Sequence, residues 1–170
     1  MKLNKQRLQS WTKEIAITAL LVLVLSNTIS YLRSPNIQGK TLPQINTLLI
    51  DQELYSSEDT KGKPLLIHFW ATWCPTCKLE AGNIQSLSQD YNVLTVAVKS
   101  GEDSTINAYL NEHDFDFKVI NDAQGLLSAQ FEVPAFPTTF IYDKEGRLSF
   151  SEVGYTSTLG LYLRMWWAGF

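Results

Sequence analysis

The stretch LLIHFWATWCPTCKLE, residues 65–80, decides how this chain folds. Its first half is short and almost continuously apolar. Gly62 and Pro64 bound it on one side and two cysteines on the other, which predicts a strand buried on both faces. Its second half opens with Pro75 at a plausible first-turn position and predicts a helix over 75–90. Between the two lie Cys74 and Cys77, the only cysteines in the chain. Such a pair can be a structural staple, half of a metal site, or a redox couple that opens and closes. A staple over two intervening residues closes too small a loop to restrict the unfolded chain much. A chain of 170 residues with this apolar content also forms a core without one. A lone Cys-x-x-Cys is weak for zinc, which takes four ligands, and His68 and His113 stand in unrelated segments.

Charge is distributed unevenly. Residues 1–33 carry five basic side chains against Glu14 alone, whereas the remaining chain carries nine basic and sixteen acidic side chains. An acidic body argues against a nucleic-acid partner, because phosphates need clustered Lys and Arg. The basic end precedes IAITALLVLVLSNTISYL, an uncharged run of 18 residues over 15–32. A helix of ~17–25 apolar residues spans the hydrocarbon layer, and flanking basic residues stay on the cytoplasmic side. Trp11 and Tyr31 stand at the two ends of the run, where amphipathic aromatics favour the interface. The expected organisation is a basic cytoplasmic tail (1–14), a single-pass inner-membrane anchor (15–32), a linker (33–44) and an exported domain (45–170). A cleaved signal peptide is the competing reading, since the most apolar part is short, but no small-x-small cleavage site follows it. Either way the body is exported to a compartment where disulfides form, which gives a redox pair chemistry to do.

Beyond residue 45 strands and helices alternate. INTLLI (45–50) is a short strand candidate and SSEDTKGKP a polar turn. VLTVAVK (93–99) predicts another buried strand, STINAYLNEHD (104–114) a helix, FKVIND (117–122) an extended segment, and AQGLLSAQFEV (123–133) a short helix interrupted by Gly125. TTFIYD (138–143) and RLSFSEVG (147–154) flank a DKEG turn and predict a hairpin. A last helix runs from about Thr156 to Trp167, with Leu159, Leu163, Trp166 and Trp167 on or near one face. The pattern implies an α/β class, a central mixed sheet flanked by helices.

A buried strand running into Cys-x-x-Cys at a helix start has a chemical consequence. Free N–H groups and the helix dipole favour negative charge there, so a Cys74 thiolate is stabilised and its pKa should fall below the ordinary value of about 8.5. The thiolate is the attacking species in disulfide exchange, which makes Cys74 the nucleophile. Cys77, nearly a turn later on the same face, is the resolving partner.

FWATWCPTCKLE (69–80) resembles the active-site segment of the thioredoxin superfamily, in particular the membrane-tethered TlpA-like branch. FPTTFIYDKEGRL (136–148) is similar to that family's proline loop, strand and hairpin. The resemblance thus covers about residues 40–168 and implies a thioredoxin-like fold. The anchor, the acidic body and the ending LYLRMWWAGF are similar to the ScsD-type members, and the Pro-Thr dipeptide between the cysteines also occurs in cytochrome c maturation thioredoxins. By this resemblance Pro137 is a cis-proline facing the cysteines. The backbone beside it would pair with a substrate strand, while Phe136 and Trp73 form the rim. Trp70 is expected in the core. Where thioredoxin itself has a proton-relaying aspartate, this chain has His68, which is either a base near Cys77 or a packed histidine. Glu80, in the TlpA-like position three residues after Cys77, either tunes the cysteines and moves protons or is an ordinary helix residue.

The expected function is a membrane-anchored periplasmic thiol–disulfide oxidoreductase acting on protein thiols or disulfides, with no cofactor and no metal, reset by a membrane electron-transfer partner. Alternatives are a cytochrome c maturation thiol reductase and a copper-binding module using the same cysteines, since soft thiolates suit Cu(I). A non-catalytic adaptor does not explain why the only two cysteines stand where exchange works well.

Overall fold

Strand β3 (Leu65–Trp70) has all six residues buried and is paired along both edges. A strand in that position must be apolar on both faces, and LLIHFW meets the demand except at His68. In this computed structural model the described residues are Trp11, Lys13, Glu14, Ile17, Thr18 and Leu21, which are helical, and 41–170. The expected membrane segment, 15–32, lies largely outside the described residues. No helix among the described residues is long and apolar enough to cross a membrane.

The main sheet has five strands in the order β5-β4-β3-β6-β7. Strands β4 (Asn92–Val98) and β5 (Lys118–Asp122) run parallel to β3, β6 (Thr138–Tyr142) runs antiparallel to it, and β7 (Leu148–Val153) is antiparallel to β6. The expected hairpin is present, and its turn is closed by Gly146 N–H donating to the Asp143 carbonyl at 2.9 Å. The mixed sheet expected from the sequence is therefore present.

One sheet face buries helices α1 (Pro75–Ser88), α2 (Asp103–Glu112) and α4 (Thr158–Ala168). Ile84, Leu87, Ile106, Leu110, Leu161 and Met165 pack there with Leu66, Trp70 and Ile141. The opposite face is covered by the short helix α3 (Leu126–Gln130) and a separate hairpin of β1 (Asn46–Leu48) with β2 (Leu54–Ser56). Phe69, Phe131 and Phe140 form an aromatic cluster on that side, with ring centroids 5.1 to 5.8 Å apart. Each such buried side chain contributes ~1.5–3 kcal/mol by leaving water.

Three segments differ in detail from the sequence expectation. INTLLI contributes only the three residues of β1, outside the main sheet, and its partner β2 falls in a stretch too short and polar to signal a strand. Thr41 and Leu42, within the expected linker, pair with Arg147 and Gly146. On α4 the buried seam is Leu161, Met165 and Ala168, while Leu159, Leu163, Trp166 and Trp167 are exposed.

Candidate functional site

The site forms where β3 ends. After Trp70 the chain turns through Ala71, Thr72 and Trp73, and Cys74 becomes the N-cap of α1. Cys74 Sγ accepts the backbone N–H of Cys77 at 3.2 Å, in the way a serine or aspartate cap does. Pro75 at the first helical position has no N–H to leave unsatisfied. Cys74 and Cys77 are joined as a disulfide with Cα atoms 5.2 Å apart, and both are buried. On opening, a Cys74 thiolate would accept the same N–H at the positive end of the helix dipole.

The turn is held from the neighbouring strand. Thr72 N–H donates to Ser100 Oγ at 3.0 Å, and Trp73 Nε1–H donates to the Lys99 carbonyl at 3.1 Å. Trp73 is 58 % exposed, and its ring stands edge-on to Phe136 at 5.9 Å. The Phe136–Pro137 peptide is cis, and the Phe136 carbonyl oxygen lies 3.7 Å from Cys74 Sγ. Gly154 N–H donates to the Pro137 carbonyl at 2.8 Å and Thr138 Oγ1 to the Ala135 carbonyl at 2.7 Å, which ties the loop to the edge strand. The structure thus brings Trp73, Phe136 and Pro137 together around the pair, while Trp70 is buried in the core.

Two ionisable groups are buried on the strand and helix that flank the cysteines. Glu80 is fully buried on α1, one turn past Cys77. Its Oε1 accepts the Thr156 N–H at 3.2 Å, and its Oε2 has no hydrogen-bond partner. Burial, helped by the negative charge of Glu152, pushes its carboxyl up to about 8 despite the Thr156 hydrogen bond. His68 is buried on β3 with Nδ1 2.9 Å from Thr139 Oγ1, and burial pushes its pKa down to about 3. Burial thus favours the uncharged imidazole of His68 and the protonated carboxyl of Glu80. Among the described residues no group of three or more His, Cys, Asp and Glu side chains is placed to hold a metal ion.

Sequence reasoning did not single out Lys99, Ser100, Thr139, Thr156 or Glu152. Ser100 and Lys99 act from the end of β4, and Thr156 through its backbone, so nothing in their side-chain chemistry announced them. Thr139 and Glu152 are identifiable only once β3, β6 and β7 are aligned.

Comparison with known proteins fits this geometry. The Redoxin family profile matches residues 37–160. A thioredoxin-like protein of Haemophilus influenzae is 29 % identical over 150 residues, covering 87 % of this chain and 89 % of that protein. The thiol:disulfide interchange protein DsbE of Vibrio cholerae is 32 % identical over 120 residues, covering 68 % of this chain and 65 % of that protein. Among solved structures, a thioredoxin-family thiol:disulfide interchange protein of Chlorobium tepidum superposes with a TM-score of 0.69. It is 22 % identical and covers 80 % of this chain and 100 % of that one, which bears on the fold alone.

Proposed function

The chain belongs to the Redoxin family, and from that premise we propose that it is a membrane-anchored thiol–disulfide oxidoreductase whose catalytic domain faces the periplasm and acts on protein cysteines. The observation that carries the reading is the Cys74–Cys77 disulfide at the N-cap of α1, set against the Phe136–Pro137 loop. Related proteins named thiol:disulfide interchange protein support the reaction class. The uncharged run 15–32, preceded by basic residues, supports the anchor and the orientation.

Exchange starts when a Cys74 thiolate attacks a substrate disulfide and forms a mixed disulfide. Cys77 then gives up its proton and attacks Cys74 Sγ. The intermolecular S–S bond breaks, the substrate leaves as a dithiol, and the Cys74–Cys77 pair is oxidised. The reverse sequence oxidises a substrate dithiol. A membrane partner of matching redox chemistry resets the pair.

The test is exchange by the full chain with an unfolded protein disulfide. Cys74→Ser abolishes turnover, and Cys77→Ser accumulates a mixed disulfide that can be trapped; unchanged turnover in Cys74→Ser would overturn the mechanism. Trapping the pair in intact cells reads the direction of electron flow, since a pair kept reduced in an oxidising compartment requires a donor. Protease accessibility in spheroplasts tests the orientation: a domain protected from external protease would refute periplasmic exposure.

A further inference from the structure

Below the cysteine helix the sheet carries a polar track that the exchange cycle leaves unused. His68, Thr139 and Glu152 stand in register on β3, β6 and β7, so their side chains project from one sheet face. Glu152 is the member on the edge strand, and its side chain keeps 18 % of its surface. Arg164 Nε, on α4, donates to Glu152 Oε1 at 2.8 Å. The guanidinium is itself fixed, with Nη1 donating to the Gly160 carbonyl at 3.0 Å and its centre 5.9 Å from the Phe150 ring centroid. Gly160 leaves the space, since a Cβ there would stand 3.0 Å from that Nη1. Glu80 reaches the segment that follows β7, with one carboxyl oxygen on the N–H of Thr156, four residues past Glu152, and the other buried without a partner.

We propose that Arg164 is a positioning residue of the exchange site: by pinning and neutralising Glu152 at the sheet edge, it sets how readily Glu80 trades a proton with Cys77. The inference rests on the reading of Cys74–Cys77 as an exchange couple. In the resolving step the Cys77 thiol gives its proton to the Glu80 carboxylate and its electron pair to Cys74 Sγ, and the substrate sulfur departs as a thiolate. In the reverse step Glu80 returns that proton to Cys77 as the disulfide opens. Among the described residues these charged and titratable groups face the exchange. Glu152 comes from β7, Arg164 from α4 acts through Glu152, and Cys77 precedes Glu80 on α1. His68 on β3 shares the sheet face but stays neutral. A Glu152 carboxylate that lacks the Arg164 bond would make the charged form of Glu80 costlier, and a neutral residue at 152 would make it cheaper.

The test is a pH titration of the Glu80 carboxyl by carbon-13 NMR on the oxidised full chain in detergent micelles, with the signal assigned by Glu80→Gln. Arg164→Gln moves the midpoint up by about half a pH unit or more, the partial exposure of the pair limiting a shift that reaches 1–3 units for close charges. Glu152→Gln moves it down by a similar amount, the double variant coincides with Glu152→Gln, and Arg164→Lys stays near the unsubstituted protein. The pH profile of mixed-disulfide resolution shifts in the same directions. A midpoint unmoved by Glu152→Gln overturns the proposal. So does an Arg164→Gln shift that persists undiminished in the Glu152→Gln background. A purely structural Arg164 lowers the melting temperature and leaves the midpoint in place. The titration needs no turnover, so a chain that exchanges no disulfide sinks the oxidoreductase reading separately from the charge coupling.

Discussion

His68 Nδ1 lies 2.9 Å from Thr139 Oγ1 across the β3–β6 pairing, buried and with no charge beside it that shifts its titration. Its pKa, pushed down by burial from 6.5 to about 3, and that of Glu80, pushed up from 4.5 to about 8, act on stability in opposite directions. His68 contributes stability that is present above pH 6.5 and lost as pH falls toward 3. Glu80 contributes stability that is present below pH 4.5 and lost as pH rises through 8. Between pH 4.5 and 6.5 the two slopes cancel, so a plateau is expected there, with losses on the order of 1 kcal/mol per pH unit on either side. Urea denaturation of the oxidised protein at stepped pH checks this, and Glu80→Gln should flatten the alkaline limb and turn the plateau into a rise with pH up to 6.5, where only the His68 slope remains. An alkaline limb of unchanged slope in that variant would refute the assignment.

Exchange itself should depend on Glu80. Glu80→Gln keeps the shape and an acceptor for Thr156 N–H, yet removes the titratable group one turn past Cys77. Resolution of the mixed disulfide should slow by about 10²-fold, the lower end of what a positioned acid–base group supplies, and lose its pH dependence between about 7 and 9. Stopped-flow measurement of resolution, separated from the initial attack, gives the answer.

The rim should matter for large substrates and hardly for small ones. The exposed indole of Trp73 is fixed by its N–H on the Lys99 carbonyl and by the edge-on contact with Phe136. Trp73→Ala should raise KM for an unfolded protein disulfide several-fold and leave attack on a small disulfide such as oxidised glutathione within about twofold. The loss of the ring pair costs ~0.5–1.5 kcal/mol of stability. Equal effects on both substrates would argue that Trp73 acts on the cysteines instead.

Burial on the two sides of the molecule gives a sharp contrast in stability. Phe69 has no exposed surface and packs between Phe131 and Phe140, so Phe69→Ala should cost ~3–5 kcal/mol. Leu163 is 57 % exposed on α4, and Leu163→Ala should fall within ~0.5 kcal/mol of zero. Guanidinium unfolding of the two variants measures both.

Much of this was legible in the order of residues. LLIHFW announced a central strand because nothing but a doubly covered position tolerates so unbroken an apolar run. Pro75 and the cysteines announced the helix start, and TTFIYD with DKEG announced the hairpin. The role of Phe136 and Pro137 came from resemblance, since no local rule places that loop 3.7 Å from a sulfur 62 residues earlier. His68 and Glu80 were ambiguous in the sequence because burial decides their chemistry, and burial belongs to the assembled sheet. The apolar residues of the last helix misled in a different way. Leu159, Leu163, Trp166 and Trp167 look like a seam, yet Leu161 and Met165, at the spacing of one turn, face the core.

The central place of β3 also fixes how motion is distributed. Its amides are bonded on both sides and its side chains are buried, so they should be among the last to exchange hydrogen for deuterium and open only when the whole domain opens. The cysteines hang from the end of that most protected strand, while the Phe136 loop belongs to a half-exposed margin. Cycling between dithiol and disulfide can therefore proceed as local breathing of a margin against a fixed post, and the domain need not loosen for a large partner to come and go.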